Sequence, residues 1–169
     1  YCTIGGGTNG SFGSIDIQNS QIHIPSSGGN TAIGNGWQVY YNRESRIRIA
    51  NSEVSVRCAS LGPAIGAAWD SGSGRINILI ENSTVTAKGG NLRTDGNYVP
   101  GIGKNALGRA PEIGIQILNS TVDSFRLTEK GGTDYVYDDL HTKELPGIPA
   151  GNISICGSTV NGTRIDHSF

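Results

Sequence analysis

Residues Ile78-Leu79-Ile80-Glu81-Asn82-Ser83-Thr84-Val85 carry a pattern that the chain repeats four more times. It stands as Ile15-Asp16-Ile17-Gln18-Asn19-Ser20-Gln21-Ile22 and as Ile47-Arg48-Ile49-Ala50-Asn51-Ser52-Glu53-Val54. It returns as Ile115-Gln116-Ile117-Leu118-Asn119-Ser120-Thr121-Val122 and as Ile153-Ser154-Ile155-Cys156-Gly157-Ser158-Thr159-Val160. The serine is kept every time, and Gly157 replaces the asparagine once. Counted from Asn19 through Asn51, Asn82 and Asn119 to Gly157, the spacings are 32, 31, 37 and 38 residues. One supersecondary unit recurring at this period is the mark of a stacked-repeat architecture.

A second mark keeps phase with the first. Ile-Gly occurs at Ile4-Gly5, Ile33-Gly34, Ile65-Gly66 and Ile102-Gly103. From each of these isoleucines to the first isoleucine of the following Asn-Ser unit is 11, 14, 13 and 13 residues. Each repeat is therefore one coil, with an Ile-Gly strand on one wall and the Asn-Ser corner with its flanking strands on the others.

The unit reads as β-structure. Apolar residues alternate with polar ones, as at Ile15, Ile17, Ile22 and Ile24, and most are β-branched. Asn-Ser interrupts the alternation where a corner is needed, and asparagine tolerates the left-handed conformation of a sharp turn. On strands about 4.8 Å apart, stacked asparagines and serines can form amide and hydroxyl ladders. The Asn-Ser pairs are thus structural. Asp16 and Arg48 share a repeat position and are placed to pair across neighbouring coils.

The coil pattern and its Asn-Ser ladder resemble the right-handed parallel β-helix proteins, the pectin-lyase-like superfamily of pectin and pectate lyases and other glycan-active enzymes. The likeness covers almost the whole chain. In the style of its Ile-Gly and Asn-Ser units the chain also resembles secreted bacterial β-helices, among them carbohydrate-binding ones and lacto-N-biosidase-like glycoside hydrolases. The resemblance implies an all-β, right-handed parallel β-helix of about five coils. It also implies a location outside the cell or on its surface, and a glycan partner. It supplies no catalytic motif.

Composition sets further bounds. The 169 residues suffice for one domain over 1–169 with a continuous core. The 26 glycines fit turn-dense coils, and a net charge of −1 gives no general attraction to nucleic acid. No apolar run approaches the roughly 18 residues of a membrane helix. The three cysteines lack metal-ligand spacing, and Cys2 and Cys156 belong to opposite ends of the stack, so all read as free thiols. Sequons at Asn9, Asn82, Asn119, Asn152 and Asn161 read as chance matches, since two are corner positions. Neither end reads as a capping segment, which predicts a piece of a longer chain or one completed by a partner.

The repeats differ in their insertions. Ile102 lies 17 residues past Val85, against 11 from Ile22 to Ile33 and from Val54 to Ile65. The excess predicts a loop over about Lys88 to Pro100, with Arg93, Asp95 and Tyr98. A longer excursion runs from Val122 to about Gly151 and contains Asp134-Tyr135-Val136-Tyr137-Asp138-Asp139-Leu140-His141. Ile148 falls out of step with the Ile-Gly rule, only 5 residues before Ile153. Loops on a rigid scaffold are where function collects.

Three constellations carry candidate chemistry. Trp37 and Trp69 each lie four residues past their Ile-Gly isoleucine, so they are neighbours on adjacent coils. They read either as a platform for sugar faces or as wall residues. Arg57 and Lys88 each lie three residues past the valine of their coil, with Arg126 four past Val122. These form a basic line, either a solvated edge or a groove for an acidic or hydroxyl-rich glycan. The third set is carboxylate and imidazole. Glycoside hydrolysis uses two flanking carboxyl groups, and Asp70, Asp95, Asp138 and Asp139 are the candidates, with Asp70 first and His141 as a general acid or base. These also read as ordinary loop residues. His23 alternates with Ile22 and Ile24 and points outward.

Together these predict a carbohydrate-active β-helix that binds a glycan, with glycoside hydrolysis favoured over a lyase reaction. The substrate-binding set is Trp37, Trp69, Arg57, Lys88, Arg126 and Tyr98. The alternative is a non-catalytic carbohydrate-binding or adhesin module. No cofactor is called for. Calcium stays open, although the acids do not fall in the spacing of a recognised calcium loop.

Overall fold

Alternating isoleucines produce strands, and the corners between them set how those strands are grouped. The structure is a computed structural model. It describes residues 2–7, 13–28, 31–36, 43–68, 74–91, 99–105, 112–129, 132–138, 140 and 152–166. Among these the chain is all-β and contains no helix.

The strands come in threes. The first repeat supplies β1 (Ile4–Gly6), β2 (Ser14–Gln18) and β3 (Gln21–Ser27). The second supplies β4 (Ile33–Asn35), β5 (Arg43–Ala50) and β6 (Glu53–Cys58). The third supplies β7 (Ile65–Ala67), β8 (Gly74–Glu81) and β9 (Thr84–Lys88). The fourth supplies β10 (Ile102–Lys104), β11 (Glu112–Leu118) and β12 (Thr121–Leu127). Next come β13 (Tyr135–Tyr137), β14 (Asn152–Cys156), β15 (Ser158–Val160) and β16 (Thr163–Ile165).

Like strands pair with like. One sheet runs β1-β4-β7-β10, a second β14-β11-β8-β5-β2, and a third β16-β15-β12-β9-β6-β3 with β13 joined to β12. Every pairing between successive repeats is parallel, and the sequence repeat is also the register: Ile47 pairs with Ile78, Ile78 with Ile115, Ile115 with Ile153. The inward isoleucines and valines of all three sheets join one core, in which Ile33, Ile47, Ile49, Ile65, Ile80, Ile102 and Ile117 are fully buried. Each such side chain contributes roughly 1.5–3 kcal/mol of hydrophobic stabilisation.

The corners follow the expected chemistry. Asn19, Asn51, Asn82 and Asn119 have φ of 48–49° and Gly157 has φ of 59°, all left-handed. The serines form the ladder. The N–H groups of Ser20, Ser52, Ser83 and Ser120 each donate at 3.1 Å to the hydroxyl of the serine one repeat on. Each hydroxyl donates in turn to the carbonyl two residues before it. The expected amide ladder is not part of this. Those asparagines are exposed, and among the described residues no hydrogen bond joins their amides. Their contribution is the backbone turn.

Ile-Gly has an equally direct cause. Gly34, at φ of 135°, packs so closely on the next repeat that a Cβ there would lie 1.9 Å from the Gly66 carbonyl oxygen. Only glycine accepts both the φ and the approach.

Two segments depart from the sequence expectation. The excursion after Val122 contains a strand: β13 pairs antiparallel with β12. Beyond β15 the chain turns at Asn161 and Gly162, φ of 49° and 77°, and β16 returns antiparallel. Two successive positive φ values are what a two-residue hairpin turn requires, and Asn-Gly is its preferred pair. Cys2, Cys58 and Cys156 are reduced thiols, as expected.

Candidate functional site

On the third sheet, strands alternate inward and outward, so every second residue faces away from the core. This places Arg57, Lys88 and Phe125 in one outward column, since Arg57 pairs with Lys88 and Lys88 with Phe125. The predicted neighbourhood of Arg57 and Lys88 is therefore present. The third place belongs to Phe125, and Arg126 stands one residue further along, opposite Val136 of β13.

The column is roofed at one end by β13. Phe125 pairs with Tyr137 and Leu127 with Tyr135. The Phe125 and Tyr137 rings stack with centres 4.8 Å apart and planes inclined by 22°. Lys88 Nζ lies 5.7 Å from the Phe125 ring centre and 5.2 Å from that of Tyr135. Arg57 Cζ lies 5.8 Å from the Tyr135 ring centre. Two cations on adjacent strands repel by roughly 1 kcal/mol even in bulk water. A cation over an aromatic face gains about 0.5–1 kcal/mol, so the three contacts offset that repulsion. The rings let two positive charges share one face.

Asp138 holds β13 in place. It is 5% exposed, and both carboxylate oxygens are engaged. Oδ2 accepts the Gly101 N–H at 2.6 Å and the Ser124 hydroxyl, while Oδ1 accepts the Leu140 N–H at 2.8 Å. Its main-chain N–H donates to the Ser124 carbonyl at 2.9 Å, and Asn161 Nδ2 donates to its carbonyl. Gly101 must lack a side chain, because a Cβ would meet the Ala87 carbonyl oxygen at 2.2 Å. The carboxyl group proposed from the sequence as a reacting acid faces inward and fastens the aromatic strand.

Of the other candidates, Trp37, Trp69, Asp70, Asp139, His141 and Tyr98 lie outside the described residues, as do Arg93, Asp95 and Ile148. His23 is exposed, as its position in the alternation requires. Asp16 and Arg48 pair at 3.3 Å, and Arg48 also reaches Glu81 of the third repeat at 2.5 Å. The guanidinium is held charged, its pKa raised chiefly by the hydrogen bond to Glu81.

Sequence reasoning placed Tyr135 and Tyr137 in a loop and passed over Phe125. Tyr-Val-Tyr is itself an alternating β-prone triplet, but nothing local assigns it a partner strand. Among the described residues there is no cluster of three or more His, Cys, Asp or Glu side chains placed to hold a metal ion. Nor do they include a helix long and apolar enough to cross a membrane.

The class that the structure itself defines is an all-β protein of three parallel sheets carrying an aromatic and cationic outer face. Compared with known proteins, the chain matches no family model, no curated protein and no solved structure.

Proposed function

We propose that the chain is a right-handed parallel β-helix of the pectin-lyase-like kind, exported from the cell, that binds a glycan on the outer face of its third sheet. The carrying observation is the continuous array of Arg57, Lys88, Phe125, Tyr135 and Tyr137 on that face. Flat aromatic surfaces suit the apolar faces of sugar rings, and flanking cations suit their hydroxyl, carboxylate or sulfate groups. The coil reading is supported by the strand that each of the first four repeats gives to the main path of every sheet, and by the serine ladder.

Recognition is the primary reading, because Asp138 spends its oxygens on the scaffold. Glycoside hydrolysis is the second reading. It is favoured by the fastening of residues 135–138 beside the array, since Asp139 and His141 follow directly in sequence. A glycan-binding screen on this chain, followed by analysis of the bound glycans for released sugars, tests both. Binding that is lost in Tyr135→Ala supports the array. Sugar release that is abolished in Asp70→Asn with binding retained would make the chain a hydrolase. Binding that survives removal of both Lys88 and Tyr135 would sink the proposed face.

A further inference from the structure

The corner asparagines carry a chemical liability that the strands do not. An asparagine followed by a small residue can cyclise. The main-chain nitrogen of the next residue loses its proton and attacks the asparagine Cγ, a C–N bond forms, and the side-chain nitrogen leaves as ammonia. Water then opens the cyclic imide to aspartate or isoaspartate. Asn19, Asn51, Asn82 and Asn119 are each followed by serine, and their side chains are exposed at left-handed corners. An isoaspartate would lengthen the main chain by one carbon at the point where the strands change direction.

The serine ladder acts on the attacking atom. The nitrogen that would attack Asn51 is that of Ser52, and its hydrogen is donated at 3.1 Å to the Ser83 hydroxyl. Ser20 N is held in the same way by Ser52, Ser83 N by Ser120, and Ser120 N by Ser158. Each accepting hydroxyl is fixed in turn, because it donates to the carbonyl two residues before it. Ser52, Ser83 and Ser120 are also buried, away from the solvent that would take up the proton. To react, the nitrogen must give up its hydrogen bond and turn toward the asparagine side chain. The fifth corner departs on both counts. Ser158 pairs with Ile165 of β16 and not with a further serine, and its corner residue is Gly157, which has no amide to lose.

We infer that Asn19, Asn51, Asn82 and Asn119 are latent deamidation sites, each kept unmodified by the serine of the following repeat. The control is displaced along the chain. The hydroxyl that guards Asn51 belongs to Ser83, and the one that guards Asn119 belongs to Ser158. Neither depends on what the outer faces bind.

The test is incubation of the full chain at mildly alkaline pH, with aspartate and isoaspartate quantified at each corner by peptide mass spectrometry. Ser83→Ala is expected to speed modification of Asn51 about tenfold, the weight of one hydrogen bond. It should leave Asn82 as slow as before, since the main-chain N–H at position 83 still meets Ser120. Ser158→Ala is expected to do the same for Asn119 alone, and covers the case in which Ser83→Ala fails to fold. In the unaltered chain, the rates at the corners should rank with hydrogen exchange at the Ser20, Ser52, Ser83 and Ser120 amides, which reports local opening. Asn161, before Gly162, is the internal reference. Its own side chain is held, Oδ1 accepting the Ser124 N–H at 2.8 Å and Nδ2 donating to the Asp138 carbonyl, so Ser83→Ala should not change its rate. Acceleration at every corner together, or at Asn82 ahead of Asn51, would assign the effect to general loosening and overturn the proposal. Unchanged rates at Asn51 and Asn119 would overturn it as well.

Discussion

Asp138 Oδ2 accepts the main-chain N–H of Gly101 at 2.6 Å, across 37 residues of sequence. This contact ties the strand that carries Tyr135 and Tyr137 to the turn that enters β10. Removing it strands buried donors. Asp138→Ala is expected to lower stability by about 3 kcal/mol, since leaving buried N–H groups unpaired costs roughly 1–3 kcal/mol each. Urea denaturation would show this as a lower midpoint at constant slope. An unchanged midpoint would mean that Asp138 fastens nothing.

The corner asparagines separate a conformational role from a hydrogen-bonding one. Asn82 has φ of 49°, and its side chain is exposed. Asn82→Gly should therefore be close to neutral, since Gly157 takes the equivalent left-handed corner of the fifth repeat at φ of 59°. Asn82→Val should cost about 1–2 kcal/mol, the penalty of a branched side chain in left-handed backbone. Thermal denaturation of the pair decides the matter. Equal losses would assign the role to the amide instead.

Ile80 is fully buried in the middle of the core. Ile80→Asp places an unpaired carboxylate there, at a cost of several kcal/mol, and is expected to abolish cooperative folding as seen by circular dichroism. Ile80→Val removes one methylene and should cost only about 0.5–1.5 kcal/mol. A folded, native-like Ile80→Asp would contradict the single shared core.

On the third sheet, Lys88 is bracketed by Phe125 and Tyr135 at 5.7 and 5.2 Å. Tyr135→Ala should weaken glycan binding about tenfold, with Tyr135→Phe retaining most of it, because the ring face is the contact. Isothermal titration with a glycan found in the screen is the measurement. A Tyr135→Phe loss as large as that of Tyr135→Ala would shift the role to the hydroxyl.

The thiols give a pH prediction. Burial raises the Cys58 pKa above its ordinary 9.0, against weaker opposing hydrogen bonds, and burial likewise raises that of Cys2. A thiol whose folded pKa is raised contributes stability fully below its ordinary value, and loses it as pH rises through the raised one. Stability should thus fall on the alkaline side of pH 9, and less so in Cys58→Val. Iodoacetamide at about pH 8 should label exposed Cys156, and Cys58 only once the chain unfolds. Rapid labelling of native Cys58 would refute its burial.

The repeat, its strands and its corners were legible in the residues themselves. Each repeat restates the same local requirements: alternating isoleucines, a residue tolerant of positive φ, and a serine that can both donate and accept. Stacking identical units then makes the sequence period the register, so Asp16 and Arg48 could be matched from spacing alone. The proposed binding face was not legible in this way. Tyr135-Val136-Tyr137 lies in an insertion outside the period, and its place beside Phe125 depends on antiparallel pairing with β12 and on Asp138 reaching Gly101. Periodic contacts are written into every repeat and can be read from any one of them. Contacts made once, between residues far apart in the chain, exist only when the fold brings them together.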